Sequence, residues 1–381
     1  MTDALCLVDD WGPEKIVVVS HRRTGMKGVL VIDNTARGVG KGGTRMSPTV
    51  SVGEVARLAR VMTWKWAGVD LFYGGAKAGI VADPASPDKE AILRAFARAL
   101  SNEVPRAYVM GLDMGLTEND AAIIQDELGD RGAAVGTPDH LGGVAYDQLG
   151  VTGYGVAEAA DAAARHLRLP LSGSRVAIQG FGAVGRAAAV RFAELGATIV
   201  AVSTARGALH DPTGLDVPAL QAAREEHGDG FVTRHHQGAA LPPGQELTVD
   251  CEILVPAAVQ DVIDEVTAHR IKAKLVVEGA NLPTSPRAQS ILADRGIRVL
   301  PDFVANAGGV VAAAFAMDAR YSGFRPETPA IFETISKRLR SNAVTVLEEA
   351  QCRATTPHIA GRGLAEERVR AAMRSRGSFR P

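Results

Sequence analysis

The chain has 381 residues, 46% hydrophobic and 22% charged, a composition that gives a sizeable core, leaves room for two domains and excludes a largely disordered protein. A formal net charge of −1 and a pI near 6.8 leave no basic footprint, which argues against nucleic acid and membrane surfaces as partners and leaves small molecules. Cys6, Cys251 and Cys352 are scattered without a CxxC pair, which argues against a disulfide framework or a structural zinc site; each is expected to be a small buried hydrophobe.

The opening MTDALCLVDDWGPEK is acidic and lacks the basic region of a secretory signal, and no apolar run reaches the ~18 residues of a membrane span. A cytoplasmic location is expected. KIVVVSH (15–21) and GVLVIDN (28–34) predict a hairpin across the turn RRTGMK, followed by a loop over 39–49. Val55, Leu58, Val61 and Met62 fall at helical spacing, so 52–66 predicts a helix with Lys65 at its end. Gly74, Gly75 and Gly79 around Lys77 predict an exposing turn where backbone and ligand approach closely. A second helix is expected over 88–104, then a strand AYVMGLD running into Asp113. A third helix starts after Thr117, with Asp120 completing the cap, and stops near Gly129.

The Gly-, Pro- and Asp-rich stretch 132–150 is expected to connect two domains, after which 155–169 predicts a helix. Strands at 175–180, 198–204, 251–257, 274–280 and 297–302, with a helix over 185–196 and further helices or loops between, predict a parallel-sheet nucleotide domain. Helices from 327 to 374 are expected to return to the first domain. The ranges are 1–145 for a substrate domain, 146–325 for the dinucleotide domain and 326–381 for the C-terminal helices. His235 and His236 lie in a polar, glycine-bounded stretch and are expected to be loop residues, not metal ligands.

Lys65 and Lys77 carry the first chemical signal. A lysine serves as acid and base near neutrality only when its pKa is pulled down, which burial and a second cation do; the plainer alternative is two solvated loop charges. GFGAVG supplies the second signal, with Gly180, Gly182 and Gly185 in G-x-G-x-x-G spacing around Ala183 and Val184. It sits after a strand and at the mouth of a helix, where the turn and the helix amides accept a pyrophosphate. The position where an acidic residue binds an NAD ribose falls in AVSTARG. There Ser203 and Thr204 are neutral and Arg206 is cationic, which leans toward NADP over NAD, although Arg206 as a solvated loop charge fits equally.

GKGGTRMSP, MTWK, YGGAKAGI, GLDMG, VTGYGV, QGFGAVG, ILVPAA, VVEGANLPTSP and PDFVANAGGV occur in the order found in the Glu/Leu/Phe/Val dehydrogenase family, which the chain resembles over about 41–311. The resemblance implies an α/β protein with an N-terminal mixed-sheet substrate domain, a Rossmann-type domain, a cleft between them, and assembly into a homo-oligomer, commonly hexamer or octamer. It implies that Lys65 holds the substrate α-carboxylate, that Lys77 is the catalytic lysine, and that Asp113 moves protons to and from the amino nitrogen. Thr152 resembles the threonine beside the nicotinamide amide, Asn281 and Asn306 resemble cofactor and substrate contacts, and Pro256 and Ala257 are expected to line the cofactor site through backbone. Taken without the family pattern, either asparagine reads better as a turn or cap.

The implied activity is reversible oxidative deamination of an L-amino acid to a 2-oxo acid and ammonia. Lys41 stands where glutamate-specific members place a lysine for the distal carboxylate, whereas Ala313 stands where they place a serine; Gly111 leaves room beside the pocket for something larger. Glutamate is therefore the expected substrate, with branched-chain or aromatic amino acids as the alternative. A non-catalytic binding paralogue is disfavoured because Lys65, Lys77 and Asp113 are all present. An alcohol-oxidising enzyme is disfavoured by the lack of a Ser-Tyr-Lys relay or metal site.

Overall fold

The structure, a computed structural model, describes residues 4–144, 148–234 and 237–377. His235 and His236 therefore lie outside the described residues, as does part of the expected connector. Contacts divide the chain into two units: Met1–Tyr146 with Val310–Ile331 and Ala365–Pro381, and Asp147–Gly309 with Phe332–Leu364. The C-terminal residues thus divide between the units and do not form the separate block 326–381.

The first unit holds β1 (Lys15–His21), β2 (Met26–Asn34), β3 (Gly40–Met46), α1 (Val52–Gly68), β4 (Gly74–Ile80), α2 (Lys89–Ala99), β5 (Tyr108–Leu112) and α3 (Glu118–Leu128). Its sheet runs β1-β2-β4-β3-β5, with β2 antiparallel to β1 and β4, and β3 parallel to β4 and β5. The mixed sheet is as expected, but two of its strands were not. The expected loop over 39–49 contains β3, and the expected turn around Lys77 is the fully buried β4.

Packing is the reason for both differences. A Cβ on Gly75 would overlap the Thr63 side chain and backbone on α1, and one on Gly79 would stand 2.5 Å from Val50 and 2.8 Å from Val55. The glycines let a helix lie tight on a strand. Leu30, Ile80, Leu93, Phe96, Tyr108 and Met110 belong to one buried cluster. α2 stops at Ala99, short of the expected 104, ahead of a polar Ser-Asn pair and Pro105, none of which favours continuation. At α3, Thr117 and Asp120 form the capping box and Gly129 closes the helix at φ 63°, as expected.

The second unit begins with α4 (Val151–His166), β6 (Arg175–Gln179), α5 (Ala183–Glu194), β7 (Thr198–Thr204), β8 (Gly207–His210), α6 (Val217–His227) and β9 (Ala239–Leu241). It continues through β10 (Ile253–Pro256), α7 (Glu265–Arg270), β11 (Leu275–Val277), α8 (Pro286–Asp294), β12 (Arg298–Leu300) and α9 (Asp302–Ala305). α10 (Gly308–Ala319), α11 (Thr328–Cys352) and α12 (Pro357–Ser375) follow, each with residues in both units. The strand order is β12-β11-β10-β6-β7-β8-β9; β10, β11 and β12 on one side of β6 and β7 on the other are parallel to it, while β8 and β9 add an antiparallel edge that the sequence reading lacked. Chain order reverses between β7 and β10 at β6, the point where ligands of open α/β sheets bind beyond the strand ends. Cys251 is buried as expected, but Cys6 and Cys352 are exposed.

Candidate active site

Side chains alternate across a strand, so Lys41, Gly43 and Arg45 of β3 share a face. The same face receives Lys77 from β4, and Gly111 from β5 with Asp113 just beyond it. Asp113 Oδ2 accepts from Lys77 Nζ at 3.0 Å and from Arg45 Nε at 2.9 Å, while Arg45 reaches Glu54 at 2.7 Å. Arg45 is a residue the sequence reading missed; its i+4 spacing from Lys41 within GKGGTRM was the available signal once β3 is known to be a strand. A Cβ on Gly43 would lie 2.7 Å from Asp113 Cβ and 3.2 Å from Lys77 Nζ, so the glycine makes room for that pair.

Burial works to raise the Asp113 pKa, but the charges and hydrogen bonds of Lys77 and Arg45 prevail and hold it below the ordinary carboxylate value. Asp113 is therefore an anion at neutral pH, seated between two cations. Lys77 is buried, which corrects the expectation of an exposing turn.

Lys41 is 3% exposed. Its ammonium occupies the space that a side chain at Gly111 would need, so the room expected there is already taken by this lysine. Burial, then the charges of Lys77 and Arg320, push its pKa down to about 7, and among the described residues no anion offsets them. The Lys41 carbonyl accepts from Trp66 Nε1 at 3.0 Å, which ties β3 to α1. Lys65 is buried in the last turn of α1. Ala313 is buried on α10 and offers a methyl.

In the second unit, Gly180 turns at φ 92° and its missing Cβ avoids Ala258, while a Cβ on Gly185 would overlap the Gly180 carbonyl. Gly182 is the N-cap of α5, and a Cβ there would meet nothing within 4 Å. Gly182 and Ala183 are exposed and Val184 half-buried, with the α5 amides ahead of them, an open cradle that fits a pyrophosphate. Gly279 and Ala280 donate to the Pro256 carbonyl at 2.9 Å, and Ala257 donates to that of Gln179 at 2.7 Å, which gathers Ala257 and the 279–281 turn at the ends of β10 and β11. Asn306 Nδ2 donates to Asn281 Oδ1 at 3.1 Å, and a Cβ on Gly309 would lie 3.1 Å from Thr152 Oγ1. The second unit therefore brings Thr152, Asn281 and Asn306 to one glycine-lined corner.

Ser203 departs from its expected role as a direct coenzyme contact. It is 3% exposed, accepts from the Gly180 N–H at 2.9 Å, and donates to Glu246 at 2.9 Å. Its hydroxyl is held inside the protein, supporting the first glycine from beneath. Burial raises the Glu246 pKa. Thr204 donates to the Asp229 carbonyl at 2.8 Å, and Arg206, Arg224 and Arg234 surround an adjoining cleft of about 630 Å³.

Such a sheet and glycine turn, in a chain that also pairs a buried lysine with a half-buried carboxylate, define a dinucleotide-dependent oxidoreductase. The model of the Glutamate/Leucine/Phenylalanine/Valine dehydrogenase matches residues 142–377, and that of the Glu/Leu/Phe/Val dehydrogenase dimerisation domain matches 13–130. The chain belongs to this family and is an amino acid dehydrogenase, acting on a CH–NH2 donor with a nicotinamide coenzyme. It is 36% identical over 354 residues to the NAD-specific glutamate dehydrogenase of Staphylococcus aureus, covering 90% of this chain and 84% of that one. Glutamate dehydrogenase A2 of Halobacterium salinarum is 39% identical over 288 residues, 73% of this chain and 68% of that protein. Among solved structures, the hetero-hexameric glutamate dehydrogenase of Thermus thermophilus in its Leu-bound form superposes with a TM-score of 0.85 at 31% identity, covering 97% of this chain and 91% of that one. The glutamate dehydrogenase of Peptoniphilus asaccharolyticus gives 0.85 at 27%, covering 99% and 95%.

Proposed function

We propose that the protein interconverts L-glutamate, water and NAD(P)+ with 2-oxoglutarate, ammonium, NAD(P)H and a proton. The observation that carries this reading is the Lys41 side chain, buried beside two other cations with no anion to balance its charge among the described residues. A buried cation without an anion is costly, and a ligand that brings a distal carboxylate removes that cost. The relatives named as glutamate dehydrogenases support the same substrate.

The nicotinamide, when bound, supplies the hydride acceptor. In this reading Lys65 binds the α-carboxylate and Lys41 the distal one. Asp113 takes a proton from the substrate ammonium before hydride leaves. Lys77, as the amine, takes a proton from the water that adds to the imine carbon, and Asp113, 3.0 Å from it, returns its proton to nitrogen as ammonia departs. Thr152, Asn281, Asn306 and the backbone of Ala257 orient the coenzyme. Ala313 gives the distal carboxylate no hydrogen bond, so its recognition rests on charge.

For the coenzyme, the S. aureus relative supports NAD, whereas Arg206, Arg224 and Arg234 near the end of β7 offer cations to a 2′-phosphate. Use of NAD with acceptance of NADP reconciles the two. The hetero-hexameric relative and the matched dimerisation domain support assembly into an oligomer. The test is initial rates of NADH and NADPH oxidation with ammonia across straight, branched, aromatic and dicarboxylic 2-oxo acids. A lead for 2-oxoglutarate supports the reading, and a lead for an apolar acid overturns the substrate while leaving the family intact.

A further inference from the structure

Behind the glycine turn of the second unit lies a buried acid that the proposed chemistry does not use. Glu246, in the helical turn Gln245–Thr248, is 2% exposed. Its Oε1 accepts from the Ser203 hydroxyl at 2.9 Å, and that hydroxyl accepts from the Gly180 N–H at 2.9 Å. Its other oxygen, Oε2, is buried with no hydrogen-bond partner among the described residues. A serine hydroxyl can rotate to donate in several directions, and a carboxyl that accepts its proton leaves a lone pair aimed at the Gly180 amide. Glu246 therefore sets the polarity of the two-bond chain that ends at the first glycine of the turn.

The charge on this acid matters because of what the turn receives. An ionised Glu246 would keep an unpartnered anionic oxygen away from water and would set that charge behind the amides that face a pyrophosphate; the neutral acid does neither. Burial raises the Glu246 pKa above its ordinary 4.5, with backbone and Ser203 hydrogen bonds acting the other way. The helical turn packs on β6, β7, β8 and α7, whose titratable side chains are Arg175, His210, Glu265, His269 and Arg270. Arg175 is paired with Asp250 and Glu252, and Glu265 with Arg287, while His269 and Arg270 are exposed and His210 is half-buried. Among the described residues none of them forms an ion pair with Glu246, so no cation there offsets a negative charge on it.

We infer that Glu246 is a positioning residue for the coenzyme: its protonated carboxyl, acting through Ser203, sets the Gly180 turn for the pyrophosphate, and the coenzyme binds more tightly while that proton is in place. By linkage, a ligand that favours the protonated form draws a proton in as it binds. At low pH Glu246 is neutral with and without coenzyme, and at high pH it is ionised in both. Between these limits binding takes up a proton, and affinity falls as pH rises before levelling off. The inference rests on use of a nicotinamide coenzyme and not on which amino acid is the substrate.

The test is calorimetry of the full chain titrated with NADH and with ADP-ribose, which carries the same pyrophosphate without the reactive ring, from about pH 5 to about pH 9 in buffers of different ionisation enthalpy. For the parent, net proton uptake is expected with both probes, together with a Kd that rises about fivefold or more across the range. Glu246→Gln keeps an acceptor for Ser203 without a charge. It is expected to match the parent Kd at the acid end, to lose this proton uptake and to hold its Kd level with pH. Glu246→Leu removes the acceptor and is expected to bind both probes about fivefold or more weakly at the acid end, with an unchanged circular dichroism spectrum. Should that variant fail to fold, Ser203→Ala breaks the same chain one bond nearer the turn and carries the same expectation. Proton uptake and pH dependence equal in the parent and Glu246→Gln overturn the coupling. Acid-end binding as tight as the parent's in folded Glu246→Leu, or in Ser203→Ala in its place, overturns the positioning role.

Discussion

Replacing Lys41 by methionine keeps the length of the side chain and removes only the charge. Holding that ammonium at a pKa of about 7, against an ordinary 10.5, penalises the charged form by about 5 kcal/mol. Below pH 7 both the folded and the unfolded chain carry the proton, so the native state bears the full penalty. Between 7 and 10.5 the unfolded chain still binds a proton that the native state has released, and native stability rises with pH. Lys41→Met is therefore expected to exceed the parent in stability by several kcal/mol at pH 6, with the gap closing toward pH 10, as read by denaturant unfolding. A carboxylate ligand reverses the penalty and draws a proton back. Glutarate binding should take up about 0.9 proton at pH 8 and about 0.1 at pH 6, measured by calorimetry in buffers of different ionisation enthalpy. In Lys41→Met that uptake should vanish and turnover of 2-oxoglutarate should fall about tenfold or more. Equal proton uptake in the two proteins, or an unchanged preference for 2-oxoglutarate, would refute the role given to Lys41.

Asp113→Asn removes the anion between Lys77 and Arg45; kcat is expected to drop by about 10²–10⁴ with an unchanged circular dichroism spectrum, and near-normal turnover would exclude proton transfer through this residue. Ser203→Ala strips the Gly180 N–H and Glu246 of their shared partner, so stability should fall by about 1–3 kcal/mol and the coenzyme KM should rise for NADH and NADPH alike. A loss confined to NADPH would instead mean direct contact with the 2′-phosphate. Arg206→Ala is expected to raise the KM for NADPH and leave that for NADH in place. Gly75→Ala forces a methyl into α1, and a melting temperature equal to the parent's would contradict the close approach of helix and strand.

The second unit was largely legible from the sequence because its signals are local. A strand, a glycine turn and a helix start follow one another within GFGAVG, and the alternation of short apolar runs with helical stretches sets a parallel sheet before any tertiary contact is known. The caps of α3 were equally local, residing in Thr117, Asp120 and Gly129. The first unit was misread where its glycines sit. GKGG and YGGAKAG have the composition of loops, yet they form β3 and β4, because glycine there answers to the nearness of α1 and of neighbouring strands that lie far away in sequence.

Residue types and motif order determined the family, the two-unit α/β plan, the glycine turn, and Lys77 with Asp113 as a candidate pair. Only the tertiary structure decided their state. Sheet register seats Lys41 in the space beside Gly111 and places Arg45 against Asp113, and burial turns Ser203 inward to hold Gly180. It also sets the buried Glu246 behind Ser203. The reason is that charge, desolvation and hydrogen bonding depend on distances between segments distant along the chain, and these exist only once the sheets have formed.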